Sequence, residues 1–255
     1  MPLLLIEDLT HHFGGLRAVD SFNLALGDRD LVGLIGPNGA GKTTVFNLIC
    51  GLYKPSKGKI LFDGARLIGR FPHQITQLGI GRTFQNIRLW NELTVLDNVR
   101  IAHFSQLGYG IIDAVFRTPK LLSVEKHVTE ESLHLLEMLG LKDYTDLIVK
   151  NLPYGIQRRV EITRALAVKP RLMLLDEPAA GMNQSEIGDL MELIQWMRGE
   201  FALSIFIIEH QMRVIMGICE RIVVLDFGET IADGVSSEIL HNSKVIEAYL
   251  GEEVA

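Results

Sequence analysis

Cysteine is scarce in this sequence. Two occur in 255 residues, Cys50 and Cys219, far apart and with no second ligand spaced for zinc. Neither a disulfide framework nor a zinc site is expected, and both are read as small core residues of a reducing compartment. Positive charge is also short: 25 Lys and Arg stand against 31 Asp and Glu, a net charge of −6, with no basic run. That balance argues against a nucleic-acid partner. No apolar stretch approaches the roughly 20 residues that cross a bilayer. The opening "MPLLLIEDLT" has a short apolar run with no basic segment ahead of it, so a strand is expected there rather than a signal peptide. Any membrane role must then be borrowed from a partner. Internal repeats, low-complexity tracts and flexible linkers are missing too. What is present is an ordinary globular composition, 47% hydrophobic and 22% charged, in a chain long enough for one large domain or a domain with a subdomain.

Strands alternate with helices along the chain. "SFNLAL" alternates like a half-buried strand, whereas "LVGLI", "RLMLLD", "LSIFII" and "RIVVLD" are continuous apolar runs. Such runs suit strands covered on both faces of a largely parallel sheet, so the fold class is α/β. Asn183 and Glu186 form a capping-box pattern ahead of a helix with Ile187, Leu190, Met191, Ile194 and Met197 on one face. Between about Thr94 and Leu152 strand signals give way to amphipathic helix, notably "SVEKHVTEESLHLLEMLGL", as in a helical subdomain inserted into the core. The stretch "LGYGIIDAVFRTPK", 107–120, is expected to be irregular.

"LVGLIGPNGAGKTTVFNLICG" runs strand, glycine-rich loop, helix, and matches G-x-x-x-x-G-K-[ST] at Gly36, Gly41, Lys42 and Thr43. In this pattern glycines let backbone N–H groups close around a phosphate, the lysine reaches the β/γ oxygens, and the threonine hydroxyl takes a Mg²⁺ position. The whole loop, Gly36, Pro37, Asn38, Gly39, Ala40, Gly41, Lys42, Thr43 and Thr44, is therefore a candidate nucleotide phosphate site. Kinases, GTPases, helicases and transport motors all use such a loop. "RLMLLDEP" ends a buried strand in Asp176, suited to the Mg²⁺ shell, and Glu177, placed to polarise an attacking water. No Asn-Lys-x-Asp motif occurs, which disfavours a GTPase.

"NLPYGIQRRVEITRAL" poses a different question, because it sets a bare Gly155 at the start of a helix that Pro170 stops. A helix start offers unpaired N–H groups and partial positive charge to an anion. Together with "LMLLDEP" just downstream, this stretch resembles the signature of ABC ATPases, usually Leu-Ser-Gly-Gly-Gln. Leu152, Gly155, Gln157 and Arg159 match, while Pro153, Tyr154 and Ile156 replace the usual serine, first glycine and glutamine. Further matches are Phe13 in "HHFGG", Gln85 in "GRTFQNIRLW", "EPAAGMN" ending in Asn183 where aspartate is usual, and His210 in "IIEHQM".

The resemblance spans essentially the whole chain. It implies a P-loop NTPase core with a largely parallel sheet, an N-terminal antiparallel β subdomain and an inserted α-helical subdomain. The core would be 1–93 and 153–255, the insert 94–152, with the signature at its C-terminal end. It implies ATP and Mg²⁺ as ligands. Phe13 would stack on adenine, and Thr43, Gln85 and (through water) Asp176 would hold Mg²⁺. Glu177, His210 and Gln85 would be catalytic. Pro153, Tyr154, Gly155 and Gln157 would meet the ATP of a partner copy, a homodimer or a heterodimer with a related subunit. The signature, "DEPAAGMN", the insert after Gln85 and the ending "VIEAYLG" are similar to ATP-binding subunits of branched-chain amino acid importers. That implies separate permease chains, an extracytoplasmic solute-binding protein and a peripheral place on the cytoplasmic face of the inner membrane. A urea or amide importer and a lipopolysaccharide exporter are related alternatives. A P-loop kinase and a non-transport ABC ATPase are alternatives of another class. The latter usually carries paired cassettes, a coiled coil or a basic surface. His11 and His12 are expected at the surface, and Leu89 and Trp90 either line a permease groove or pack in the core.

Overall fold

The computed structural model describes residues 1–103, 113 and 116–250, with the backbone alone at 250. Packing divides the chain into two units, Met1–Gln85 with Arg171–Ala255, and Asn86–Pro170. The second unit is wider than the 94–152 segment drawn from the sequence. It takes in the signature helix, because that helix packs on the helix that begins at Val95.

In the first unit β1 (Leu4–Phe13), β2 (Leu16–Leu26), β4 (Lys57–Phe62) and β5 (Ala65–Arg66) form an antiparallel sheet in the order β2-β1-β4-β5. A second sheet joins β3 (Leu31–Ile35), β6 (Ile80–Arg82), β7 (Leu172–Asp176), β8 (Ser204–Ile208), β9 (Arg221–Asp226) and β10 (Glu229–Gly234) in the order β10-β9-β3-β8-β7-β6. All its neighbours are parallel except β10 on β9. This is the α/β architecture that the apolar runs imply. Every residue of β3, β7 and β8 is buried, which is why those runs carry no polar alternation. The C-terminal ends of β3, β7 and β8 lie side by side, since Leu34 is in register with Ile208 and Ile208 with Asp176. The P-loop, Asp176 and the residues after Ile208 therefore share one edge, where ligands of open parallel sheets bind.

Helix α1 (Lys42–Ile49) follows β3 and joins the two sheets through Phe46, which is fully buried and tilted against Phe206 at 5.1 Å. Burying such a side chain stabilises by about 1.5–3 kcal/mol. The same core continues into Leu4, Ile6, Phe22 and Phe62 of the antiparallel sheet and into Ile75 of α2 (Pro72–Gln77). Short β6 was missed in the sequence because "IGR" has one apolar residue, and β4, β5 and β10 carry too little alternation to stand out.

The described residues of the second unit contain no strand. Thr94 caps α3 (Val95–Ala102) by accepting from Asp97 N at 3.1 Å, and Thr118 caps α4 (Pro119–Met138), which has proline at its first position. The signature helix is α5 (Tyr154–Leu166). The chain returning from α4 bonds back to the start of α3, Val95 N to Leu147 O at 3.0 Å and Val149 N to Leu93 O at 3.1 Å. Most of the 107–120 stretch lies outside the described residues.

Candidate nucleotide site

The loop between β3 and α1 has the shape its glycines require. Gly36 lies at φ 145 and Gly41 at φ 102, and an added Cβ would meet Leu225 O at 1.9 Å and Ala18 O at 2.3 Å respectively. No other residue fits either place without moving backbone. α1 starts at Gly41 with no side-chain cap and no acidic residue in its first turn, so the partial positive charge of its N-terminus is open to an anion. Lys42 is 5% exposed, and its Nζ donates to the carbonyls of Gly36 at 2.6 Å and Pro37 at 2.7 Å. The ammonium is thus fixed inside the loop. Pro37 and Ala40 are buried, Asn38, Gly39 and Thr43 exposed, Thr44 half-buried.

Asp176 ends β7 and is 1% exposed. Arg82 of β6 donates to its Oδ2 at 3.0 Å and, through the other nitrogen, to Asn47 Oδ1 of α1 at 2.8 Å. The guanidinium lies 4.8 Å from the Phe84 ring centroid and 5.7 Å from that of Phe46. It ties the helix of the phosphate loop to the strand that carries Asp176. The sequence reading passed over Arg82. A lone arginine beside glycine in "GIGRTFQ" gives no periodicity to notice. Burial raises the Cys50 thiol above its ordinary range, and the positive charge of Arg82 partly opposes it. Burial likewise pushes Cys219 up to about 12. Cys219 is buried and Cys50 is half-buried against the core, and both are free thiols.

Glu177 takes φ 47, a left-handed conformation uncommon for a residue with a side chain. Its N–H donates to Ile208 O at 2.9 Å. The carboxylate receives Gln85 Nε2 on Oε2 and His210 Nε2 on Oε1, each at 2.7 Å. Three residues far apart in sequence are brought together. Glu209, which the sequence reading left without a role, is 2% exposed and accepts from Ala179 N at 2.8 Å and His210 N at 2.7 Å. Its signal was a carboxylate set directly behind the buried "IFII" run. Asn183 accepts from Ser185 N at 2.9 Å and Glu186 N at 3.1 Å, and Glu186 returns a bond to Asn183 N, so the capping box is formed.

Phe13 is 43% exposed and meets Tyr53 and His11 edge-on, with centroids at 5.2 and 4.6 Å. His11 is a correction to the surface reading. It is buried and stacks on Tyr53 at 5.6 Å, whereas His12 is exposed. The cause is irregular pairing of β1, whose register shifts between Leu9 and His12 bring Leu9, Thr10 and His11 to the interior in succession.

In the second unit, Pro153 stands at the N-cap of α5 with no side-chain cap bond, and no acidic residue lies in the first turn. Gln157 N already bonds Pro153 O at 3.0 Å and Gln157 Nε2 donates to Leu152 O at 2.8 Å, fixing the turn around Tyr154 and Gly155. Behind it, Arg158 and Glu161 form a wholly buried pair at 2.7 Å, with Arg158 also donating to the Tyr154 hydroxyl at 3.1 Å. Glu161 accepts from Arg88 N at 3.2 Å, and Arg164 donates to Arg88 O. Burial lowers the Arg164 guanidinium from its usual value. Trp90 is 58% exposed, so of its two readings core packing is excluded.

A family model described as ABC transporter matches residues 19–180, and one described as branched-chain amino acid ATP-binding cassette transporter matches residues 229–255. The chain is 42% identical to the high-affinity branched-chain amino acid transport ATP-binding protein BraF of Pseudomonas aeruginosa, over 98% of each chain. It is 43% identical to LivG of Escherichia coli K12, named for the same transport role, again over 98% of each. The lipopolysaccharide export ATP-binding protein LptB of Haemophilus influenzae is 32% identical over 99% of both chains. Among solved structures, the ADP conformation of an ATP-binding cassette of an ABC transporter superposes with a TM-score of 0.85 at 29% identity, covering 98% of this chain and 99% of that one. A dimeric cassette in a post-hydrolysis state with ADP and Pi gives 0.76 at 25% identity, covering 91% and 98%.

Proposed function

The chain belongs to the ABC transporter family, and from that premise we propose that it is the ATP-hydrolysing motor subunit of an importer for branched-chain or other hydrophobic amino acids. The observation that carries the reading is the Glu177 carboxylate. It stands at the edge the P-loop shares, one residue beyond Asp176, and is gripped by Gln85 and His210.

The phosphate loop receives the β- and γ-phosphates of ATP on backbone N–H groups, with Lys42 countering their charge. Thr43, on the first turn of α1, and Asp176, tied to that helix through Arg82 and Asn47, fit a Mg²⁺ ion together with the phosphates. Gln85 is a further oxygen donor on this edge. The ion would neutralise charge that develops on the phosphate oxygens. Phe13 offers its exposed ring to the adenine face. Glu177 takes a proton from water as the water oxygen bonds the γ-phosphorus, and the bond from that phosphorus to the β-phosphate oxygen breaks to release ADP. An ionised carboxylate has about four acceptor positions, so the bonds from Gln85 and His210 leave room for the water.

The γ-phosphate also needs positive partners on its outer side. The uncapped first turn of α5, with Gly155 bare, suits that task in a second copy bound head to tail. Pro153 removes a side-chain hydroxyl there, so the contact rests on backbone and helix dipole. Permease chains, an extracytoplasmic binding protein and a place on the cytoplasmic face of the membrane follow from the family reading. The 229–255 match supports amino-acid import over the urea and lipopolysaccharide alternatives.

Expression of this chain in Escherichia coli cells lacking their 43%-identical LivG tests the reading. Restored uptake of labelled leucine is expected, and Lys42→Ala should abolish it. Restoration of urea uptake or of lipopolysaccharide export in the matching mutant strains, without leucine uptake, would overturn the substrate assignment.

A further inference from the structure

Glu209 is buried at the edge that carries the hydrolytic residues, and its carboxylate spends itself on backbone. Oε1 accepts from Ala179 N at 2.8 Å, and Oε2 from His210 N at 2.7 Å and Gln211 N at 3.1 Å. Gln211 Nε2 in turn donates to Ala179 O at 3.3 Å. Both polar backbone groups of Ala179 are therefore held by the two residues that flank His210. Ala179 is itself the pivot of the loop after Glu177, since Ala180 N bonds Glu177 O at 3.2 Å and Met182 N bonds Ala179 O at 3.2 Å. The loop ends at Asn183, the cap of α6 (Gln184–Glu200). One carboxylate thus sets the backbone on either side of the Glu177–His210 contact.

We infer that Glu209 is a positioning residue for hydrolysis. It fixes the reach of His210 Nε2 to Glu177 Oε1 and links that reach to the 178–183 loop. The inference rests on Glu177 and His210 acting as proposed above. An acceptor-only group is required here, because all three facing groups are donors. Glu209→Gln keeps the shape but turns one oxygen into an NH₂ that faces an N–H, so one strand of the frame is released. A displacement of about 1 Å between a catalytic group and its partner is enough to cost on the order of 100-fold in rate.

Single-turnover ATP hydrolysis, ATP affinity by titration calorimetry and thermal melting are measured on the full chain for Glu209→Gln, His210→Ala and the double variant. The expected result is a fall of about 10–100-fold in rate for Glu209→Gln, with ATP affinity held within about twofold. In the His210→Ala background the same change should cost less than about twofold, because the residue it positions is gone. A wild-type rate for Glu209→Gln, or a full multiplicative loss on top of His210→Ala, would overturn the inference. Should Glu209→Gln not fold, Glu209→Asp, which keeps the charge but shortens its reach to Ala179 N, decides in the same way. A rate loss confined to the His210 background supports positioning, and a wild-type rate refutes it. Glu177→Gln, run beside them, separates the two claims. Wild-type turnover there would remove the base itself, whereas a slow Glu177→Gln with an unaffected Glu209→Gln would remove only the positioning role.

Discussion

In the unit formed by Met1–Gln85 and Arg171–Ala255, the side chains of the candidate site hold one another. Glu177 is held by Gln85 and His210, Asp176 by Arg82, and Arg82 also by Asn47. In the unit Asn86–Pro170, the first turn of the signature helix carries no acidic residue and no side-chain cap. The N-cap is Pro153, and the charged residues Arg158, Glu161 and Arg164 reach backwards to Tyr154 and Arg88. The first unit carries its chemistry in acceptors and bases, and the second offers backbone and a dipole. One arrangement can act on a nucleotide. The other suits the anion contact proposed above for a partner copy.

The largest expected effect breaks the first side of that comparison. Glu177→Gln should slow phosphate release by about 10²–10⁴-fold while ATP affinity stays near wild type, because the loop and Lys42 are untouched. Turnover near the wild-type rate would show that the base lies elsewhere.

Buried charge pairs stand behind both faces and allow a matched test. Arg82→Met takes the guanidinium from a buried Asp176, and Arg158→Met does the same to a fully buried Glu161. Each should lower unfolding free energy by about 3–5 kcal/mol, read by urea denaturation. Only Arg82→Met should also weaken ATP binding to the isolated chain, since only it ties α1 to β7. Equal weakening by both would erase the distinction between the units.

Asn183→Ala removes two cap bonds and should lower stability by about 1 kcal/mol, with hydrolysis changed little. A large loss of hydrolysis at unchanged stability would give Asn183 a role at the nucleotide beyond capping. The smallest effect concerns Cys219, whose thiol burial pushes up to about 12. At pH 8 only about one part in 10⁴ would be thiolate, so alkylation of the native protein should be negligible and should appear on unfolding.

Much of this is legible in the sequence. Strands β3, β7, β8 and β9 were visible as apolar runs because they are buried on both faces, and the α6 cap because a capping box is local. The phosphate loop was visible because its glycines answer to backbone geometry at fixed spacing. Arg82 and Glu209 were not, since each works through contacts with elements distant in sequence. The burial of His11 was hidden for another reason: it follows from register shifts in β1 that alternation does not encode. The boundary at 170 rather than 152 depends on packing of α5 against α3, and no composition change marks it.

The measurement that bears most directly on the two-copy account is ATP hydrolysis by a verified heterodimer of one Lys42→Ala chain and one Gly155→Asp chain. Gly155→Asp sets a carboxylate where the γ-phosphate of the partner's ATP would lie, and like charges a few ångströms apart in a poorly hydrated site repel strongly. Each variant alone should be inactive, while Gly155→Asp still binds ATP as a monomer. In the mixture both lesions fall on one site and the other remains intact, so the account predicts appreciable hydrolysis where neither parent has any. A Gly155→Asp homodimer as active as wild type would contradict it.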